Sequence, residues 1–177
     1  MTLCYSDRLT VRRMKRSDLD ELYKVISDPE VMRYIEPLYS YADAEKFLQE
    51  VGLAEPPLIY AVDKKQWSQN NLCTVSEDSH FIGYVIYHSC NQDGVEIGWL
   101  LKPEEWHKGY AGELTEMLLG VAACSARYAV IECSPQQKIT RRIALKHGFI
   151  YSGMADGCEV FVRRFDGGIL EWTGVKL

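Results

Sequence analysis

The sequence lacks the features that would indicate a zinc-stabilised or disulfide-bonded protein. Its six cysteines are scattered singly, with no CxxC pair and no paired ligand spacing: Cys4, Cys73, Cys90, Cys124, Cys133 and Cys158. A zinc site and a dense disulfide framework both need cysteines at close, repeated spacings. We therefore expect reduced thiols that mostly pack in the interior, and no bound metal.

Basic charge and long apolar runs are also scarce. Lys and Arg number 20 against 25 Asp and Glu, a formal net charge of -5. Proteins that bind nucleic-acid phosphates usually carry clustered Lys and Arg, so no nucleic acid is expected as a partner. No run approaches the roughly twenty apolar residues that span a bilayer, and the first residues show no basic head followed by an apolar stretch. We expect a cytoplasmic protein with no membrane partner.

The patterns that are present predict one α/β domain over residues 1–177. At 177 residues and 47% hydrophobic, the chain can bury a core, and it contains no repeat, low-complexity tract or flexible linker. Apolar periodicity predicts the element order βααβββαβαββ. The predicted strands are 9–14, 58–62, 81–88, 95–101, 129–133, one that begins at 149, and a hairpin of 160–165 with 169–172; residues 64–79 are predicted as a long loop.

Capping residues define the predicted helix ends. Ser134 is predicted as the N-cap of the last helix, with Pro135 at its first and Gln137 at its third position, and Gly148 ends that helix. The two earliest helices are delimited in the same way, the first by Ser17 with Asp18 and by Asp28 with Pro29, the second by Ser40 and Gly52.

The most informative segment joins the predicted strand 95–101 to a helix through a tight loop. Gly109, Ala111 and Gly112 leave the backbone bare at the start of that helix. Successive N–H groups can approach a phosphate there, and the helix dipole adds a favourable positive end. The segment has neither the Gly-Lys-Ser/Thr of a Walker loop nor the GxGxxG spacing of dinucleotide folds. It is interpreted either as an anion site or as close helix–strand packing with a C-capping type of glycine.

Two ordered motifs and an N-terminal match carry a resemblance over nearly the whole chain. The first motif is Glu96-Ile97-Gly98-Trp99-Leu100-Leu101, Pro103, Trp106-His107-Lys108-Gly109-Tyr110-Ala111 and Glu113. The second is Gln137-Lys138-Ile139-Thr140 with Ile143-Ala144-Leu145-Lys146-His147-Gly148-Phe149. Near the N-terminus, Arg8-Leu9-Thr10-Val11-Arg12 and Ser27-Asp28-Pro29-Glu30-Val31-Met32 add to the match. Together they resemble the GNAT N-acetyltransferases, in the RimJ/RimL-like branch that modifies ribosomal-protein N-termini.

The resemblance implies a single-domain GNAT-like fold, with a mixed central sheet and flanking helices. Its fourth and fifth strands would splay apart, with acetyl-CoA in the gap. Backbone groups of Trp99, Leu100 and Leu101 would bond the pantetheine arm as an added strand would, and one strand N–H would stabilise the oxyanion. The pyrophosphate would be held by N–H groups of six residues, called here the 107–112 segment: His107, Lys108, Gly109, Tyr110, Ala111 and Gly112.

Several positions depart from the usual GNAT pattern. Trp106 stands where Arg or Gln is frequent, a substitution common in the ribosomal-protein branch. Gln137 replaces the usual Asn, which leaves two alternatives, a hydrogen bond to the cofactor or a capping contact within the chain. Ala144 occupies the place of a tyrosine acid found in many relatives. Thr140, which matches a serine in the branch, is then the hydroxyl available to protonate the CoA thiolate, unless it is an ordinary first-turn helix residue.

The acceptor ammonium must lose a proton before its nitrogen can attack, and a carboxylate usually takes it. The resemblance implies Glu159 first, at the distance from Thr140 seen in the ribosomal-protein branch, then Glu132, which matches a base in another branch, and then Glu96. For each, a solvated or ion-paired glutamate is the alternative. Other charged residues are given no catalytic role: His107 and His147, and also Arg141, Arg142 and Lys146, which would either reach a CoA phosphate or form a solvated helix face.

The predicted activity is transfer of an acetyl group from acetyl-CoA to a primary amine, by direct attack in a ternary complex. The acceptor is predicted to be a protein N-terminus or a small-molecule amine, and the protein a monomer or homodimer. A noncatalytic acyl-CoA-binding or sensing domain is the alternative, because the tyrosine is absent and Gln137 replaces Asn.

Overall fold

One eight-stranded sheet organises the protein in the computed structural model, which describes residues 1–35, 37–65 and 80–165. The order of strands across the sheet is β1-β2-β3-β4-β5-β6-β8-β7. The strands are β1 (Thr2–Tyr5), β2 (Leu9–Arg13), β3 (Ile59–Lys64), β4 (His80–Ser89), β5 (Gly94–Leu101), β6 (Tyr128–Cys133), β7 (Ile150–Ala155) and β8 (Cys158–Arg164).

Five α-helices flank the sheet in the part of the chain that the structure describes. They are α1 (Leu19–Ile26), α2 (Pro29–Met32), α3 (Tyr41–Phe47), α4 (Tyr110–Ala122) and α5 (Lys138–Lys146). A π-helical turn, Leu48–Gly52, continues α3, and 3-10 turns lie at Arg16–Asp18 and Pro103–Glu105. In the described ranges no helix is long and apolar enough to cross a bilayer.

The sheet opens between β5 and β6. These two strands are parallel and pair only where Gly94, Val95 and Glu96 face β6, although β5 continues to Leu101 and β6 to Cys133. All other neighbouring strands described are antiparallel. The mixed sheet is confirmed, and the two strands predicted as the fourth and fifth are β5 and β6, because β1 precedes them.

Side chains that alternate along the central strands supply a core on each face of the sheet. On β3, the fully buried Val62 joins the cluster that holds the apolar stripe of α4, whereas its neighbour Ala61 joins the cluster of α1 and α3. This follows from the two-residue period of a strand. Helices α4 and α5 therefore cover one face and α1 to α3 the other, and the opening between β5 and β6 lies between these layers.

Most of the predicted helix ends are confirmed. Ser40 caps α3 in a capping box with Asp43, and Gly52 ends the π-helical turn that follows α3. Asp28 and Pro29 follow the end of α1, as predicted, but they also begin α2. The Asp28 carboxylate accepts hydrogen bonds from the N–H groups of Glu30 (2.8 Å) and Val31 (3.1 Å).

Two predictions of local structure were wrong. Ser134 is not an N-cap: α5 begins at Lys138 with Gln137 as its N-cap, and Ser134 starts the turn before it.

Strand β1 was not predicted, because it is a four-residue edge strand whose outer residues are exposed. The hairpin partner of β8 in the described structure is β7, which precedes it. The predicted strand 169–172 with its turn, and residues 66–79 of the predicted long loop, lie outside the described residues.

Candidate active site

A cleft of about 740 Å³ lies where β5 and β6 separate. Helix α5 forms one wall, and α2 with the residues after it forms another; there Glu30, Tyr34 and Ile35 line the cleft. Thr140 also lines it, as does every residue predicted to bind the donor except Lys108: Trp99, Leu100, Leu101, His107, Gly109, Tyr110, Ala111, Gly112 and Gln137. The structure therefore gathers the two sequence motifs around one cavity.

The 107–112 segment bends sharply into α4 through two left-handed residues. His107 has φ 60° and Gly109, the N-cap of α4, has φ 83°. A non-glycine residue in this region is uncommon and tends to mark a functional constraint. Left-handed residues within such a turn direct successive N–H groups to one side, and no side chain caps the N-terminus of α4. Gly109 is thus at the start of a helix, not at a helix end, and the arrangement fits an anion.

The free edge of β5 faces the cleft. Lys102 N–H donates to Ile82 of β4 (2.9 Å), and in an antiparallel ladder every second residue bonds the same neighbour. The backbone groups of Leu100 are therefore directed towards β4, and those of Trp99 and Leu101 towards the opening. The Leu101 carbonyl accepts a hydrogen bond from the indole N–H of Trp106 (2.8 Å). Trp99 and the Leu101 N–H remain for a strand-like ligand.

Lys108 does not line the cleft, and its side chain is held by Glu105, which does. Its ammonium donates to Oε2 of Glu105 (2.9 Å), and Lys64 lies 3.5 Å from the same oxygen. Glu105 is buried, and burial raises its pKa, but the bond from Lys108 and the charge of Lys64 outweigh this and hold the pKa below its ordinary value. The ammonium of Lys108 is thus already paired with a carboxylate, so we expect its side chain to contribute little to anion binding.

Gln137 makes the hydrogen bond that explains why the start of α5 was predicted too early. Its Oε1 accepts a hydrogen bond from Ser134 N–H (2.8 Å) within the turn before α5. This hydrogen bond supports the capping alternative for Gln137. Because Gln137 also lines the cleft, a hydrogen bond to the cofactor stays a prediction. Thr140 and Ile143 share the cleft-facing side of α5.

The three candidate bases do not line the cleft, and they lie on opposite faces of the sheet. Glu159 of β8 is opposite Cys133, on the face covered by α4 and α5. Glu132 is opposite Val160, and Glu96 opposite Val130, on the other face.

The two glutamates on the second face have different surroundings. Glu96 lies at the base of the opening, with Oε2 3.6 Å from Nε2 of His88. Glu132, on β6, is partly buried.

Glu159 has the most distinctive surroundings of the three. Its Oε1 accepts a hydrogen bond from Nη1 of Arg141 on α5 at 2.5 Å. Its Oε2 is the single buried side-chain nitrogen or oxygen in the described ranges without a hydrogen-bond partner. Burial raises the pKa of the adjacent Cys133 thiol to about 11, and the Glu159 carboxylate adds to the effect. Arg141 was predicted to contact a CoA phosphate or to be solvated, and its pairing with Glu159, 18 residues away, was not predicted.

The described residues contain no group of three or more His, Cys, Asp or Glu side chains placed to hold a metal ion. The arrangement is a largely apolar cleft with a left-handed turn whose N–H groups suit an anion, beside a strand edge that is free among the described residues. Such a site can hold an extended phosphorylated ligand.

Comparison with known proteins agrees with this geometry. Residues 8–150 match the acetyltransferase (GNAT) domain family. An uncharacterized N-acetyltransferase of Bacillus subtilis, YnaD, is 24% identical over 155 residues, 85% of this chain and 84% of its own. Another, p20 of Bacillus licheniformis, is 29% identical over 151 residues, 82% of this chain and 79% of its own.

Solved structures share the fold at low identity. A GNAT-family acetyltransferase from Bacillus anthracis superposes with a TM-score of 0.78 at 19% identity, covering 94% of this chain and 99% of its own. RimL, a ribosomal L7/L12 alpha-N-protein acetyltransferase solved with coenzyme A, gives 0.73 at 15% identity, covering 95% and 100%. Spermidine N-acetyltransferase from Vibrio cholerae, solved with CoA and spermine, gives 0.72 at 16%, covering 91% and 98%. The chain belongs to the GNAT family of acetyltransferases, for which acetyl-CoA is the acetyl donor.

Proposed function

We propose that the protein transfers acetyl from acetyl-CoA to a primary amine by direct attack within a ternary complex. The observation that carries the proposal is the cleft in which the left-handed turn at His107 and Gly109 meets the free edge of β5. The turn suits a pyrophosphate, and the strand edge suits the amide groups of a pantetheine arm. One N–H of β5 would stabilise the oxyanion that forms on the thioester carbonyl.

The proposed reaction needs one proton acceptor and one proton donor. The neutral amine nitrogen attacks the carbonyl carbon, the C–N bond forms, and the C–S bond breaks to release the CoA thiolate. The amine proton passes to a base, for which we propose Glu159 ahead of Glu132 and Glu96. Thr140 on the cleft wall, or solvent, returns a proton to the thiolate.

Two features support Glu159 as the base. Its Oε2 is buried and has no hydrogen-bond partner among the described residues, so it retains an acceptor site for a proton or an internal water molecule. Its neighbour across the ladder, Cys133, ends β6 on the side where that strand has separated from β5. Since Glu159 does not line the cleft, a bridging water is the simplest link to the acceptor.

The acceptor is proposed to be a protein N-terminus or a small amine. Two proteins of the same fold represent the two choices, because one is a ribosomal L7/L12 alpha-N-protein acetyltransferase and the other a spermidine N-acetyltransferase. Their TM-scores of 0.73 and 0.72 do not separate them. Membership of the RimJ/RimL-like branch is therefore part of the proposal, resting on the sequence motifs.

The direct test follows both binding and transfer. The wild-type protein is melted with and without acetyl-CoA, which at a hundred times its dissociation constant should add about 2.7 kcal/mol to the free energy of unfolding. It is then incubated with acetyl-CoA and a panel of peptides, polyamines and aminoglycosides, and acetylated products and free CoA are measured by mass spectrometry.

The outcomes separate the candidate functions. No stabilisation by millimolar acetyl-CoA or CoA would contradict the donor site. Stabilisation without transfer to any amine would favour the noncatalytic acyl-CoA-binding or sensing domain.

Four other features stay predictions: the cytoplasmic location, the single domain over 1–177, the absence of nucleic-acid partners, and the monomer or homodimer.

A further inference from the structure

Arg8 contacts the 107–112 segment without itself lining the cleft. It lies between β1 and β2, about 100 residues away in sequence, and it is not among the residues that line the cleft. Its Nη1 donates to the Lys108 carbonyl oxygen (3.1 Å), and its Nε donates to Oε2 of Glu113 in α4 (2.8 Å). Its Nη2 also contacts that Glu113 oxygen. One guanidinium therefore joins the loop to the first turns of the helix.

Two more contacts complete this arrangement. The guanidinium carbon of Arg8 lies 4.6 Å from the centre of the Tyr110 ring, which is within the range of a cation–π interaction. Ser6 Oγ donates to the other oxygen of Glu113 (2.6 Å), so both carboxylate oxygens are occupied. The planar fork of an arginine can make all of these contacts at once, whereas a lysine ammonium cannot.

The bond to Lys108 fixes the direction of a donor in the turn. The carbonyl of Lys108 and the N–H of Gly109 belong to the same trans peptide unit, so they point in opposite directions. Because the Lys108 carbonyl points to Arg8, which does not line the cleft, the Gly109 N–H points away from Arg8, and Gly109 itself lines the cleft. The charge of Arg8 also neutralises Glu113, a carboxylate that would otherwise repel an anion bound at the start of α4.

We propose that Arg8 is a positioning residue that preorganises the 107–112 segment for the pyrophosphate of the donor. The inference rests on the proposed function, since it takes this segment to be the pyrophosphate site. A rival interpretation gives Arg8 only the structural task of joining β2 to α4. The two differ in a measurable way, because a donor without a pyrophosphate is insensitive to the turn's N–H groups but still needs a folded enzyme.

The experiment compares two donors, acetyl-CoA and acetyl-pantetheine, which carries the same thioester without the pyrophosphate. For Arg8→Met we expect KM for acetyl-CoA to rise about tenfold or more with kcat nearly unchanged, and kcat/KM for acetyl-pantetheine to stay within about twofold of wild type. Arg8→Lys should recover only part of the loss. Arg13→Met is the matched control, because Arg13 makes a bidentate ion pair with Glu55 on the surface, away from the cleft, and should change neither donor's kinetics.

The contrary results are distinct. An equal loss with both donors, or full rescue by Arg8→Lys, would overturn the positioning role and leave the proposed function standing. If the wild type binds acetyl-CoA without turnover, the same comparison is made on CoA and pantetheine affinities by calorimetry, and an unchanged affinity of Arg8→Met for CoA would overturn the inference. Failure of the wild type to bind CoA at all would remove both the inference and the proposed function.

Discussion

Nη1 of Arg141 lies 2.5 Å from Oε1 of Glu159, while Oε2 of the same carboxylate is buried and has no hydrogen-bond partner among the described residues. The arginine side chain is half exposed and the glutamate side chain is 11% exposed. An ion pair with this asymmetry orients the carboxylate through one oxygen and leaves the other able to accept a proton. It connects α5, which lines the cleft through Thr140, to β8, which does not.

The first prediction concerns the base. Glu159→Gln keeps the size of the side chain but removes its basicity, so kcat should fall by about 10²- to 10⁴-fold while the affinity for acetyl-CoA stays near wild type. Raising the pH should partly restore the rate, since more of the acceptor is then already neutral. Single-turnover kinetics and calorimetry measure the two quantities.

Glu132→Gln and Glu96→Gln are the matched controls for this prediction, because both change a carboxylate on the opposite sheet face. A normal rate in Glu159→Gln together with a strongly reduced rate in Glu132→Gln would assign the base to Glu132 of β6. Normal rates in all three variants would leave proton removal to solvent and reduce the enzyme's part to holding the two reactants together.

The second prediction concerns the ion pair of Arg141 and Glu159. Arg141→Gln removes the charge-assisted hydrogen bond that orients the Glu159 carboxylate, so kcat should fall by about tenfold or more while the affinity for acetyl-CoA stays near wild type. Arg141→Lys keeps a cation at this position and should lower kcat less. Arg142→Gln, on the same helix but without a described bond to Glu159, is the control. An unchanged kcat in Arg141→Gln would mean that the pair has only a structural role.

The tight turn at the start of α4 could be predicted from the sequence because its conformation is local. Gly109 and Gly112 lie three residues apart at the start of α4. A glycine adopts the left-handed conformation that Gly109 has there at no steric cost. The pairing of Arg141 with Glu159 could not be predicted in this way. It depends on the register of β8 against β6 and on how α5 lies over both strands, which no periodicity reports.

Other differences have equally specific causes. The start of α5 was placed too early because a glutamine that bonds the Ser134 N–H serves a turn as well as a capping box. The contacts of Arg8 could not be predicted because they join residues about 100 positions apart. No sequence pattern around Arg8 indicates Lys108 or Glu113 as its partners.

The third prediction separates backbone from side-chain contributions to donor binding. Gly109→Val forces a branched side chain into φ 83°, so it should weaken acetyl-CoA binding severely through the turn's conformation. The nearest atom to an added Cβ is Nη2 of Arg8 at 3.7 Å, an ordinary contact, which leaves the dihedral as the cause. Lys108→Ala should weaken binding only mildly, because the lysine points to Glu105.

A helix-interior glycine provides the control for that comparison. Gly120 of α4 has no atom within 4 Å of an added Cβ, so Gly120→Ala should leave donor affinity unchanged and raise stability by roughly 0.5–1 kcal/mol. Isothermal titration with CoA measures all three affinities. A larger loss in Lys108→Ala than in Gly109→Val would mean that charge, and not oriented N–H groups, holds the anion.

The fourth prediction concerns acid stability and the buried carboxylate of Glu105. The pKa of Glu105 is below its ordinary value because Lys108 and Lys64 outweigh the effect of burial. A carboxyl group with a depressed pKa in the folded state stabilises the protein above its unfolded pKa, and this contribution is lost as the pH falls through the folded value. Stability from Glu105 should thus be complete at neutral pH and be lost progressively as the pH falls below about 4.5.

Glu105→Gln isolates that contribution. At pH 7 the variant should be less stable than wild type by about 1–2 kcal/mol, a value discounted because Lys64 and Lys108 are a third or more exposed. The gap should close as the pH is lowered towards 3, because the wild-type carboxyl is then protonated and equally uncharged, while other acidic groups titrate alike in both proteins. Urea unfolding without ligand, repeated from pH 3 to 7, measures the difference in the free energy of unfolding between variant and wild type. Glu55→Gln is the control, because Glu55 is a surface carboxylate paired with Arg13. A gap that stays constant over the whole range would mean that Glu105 acts through shape and not through charge.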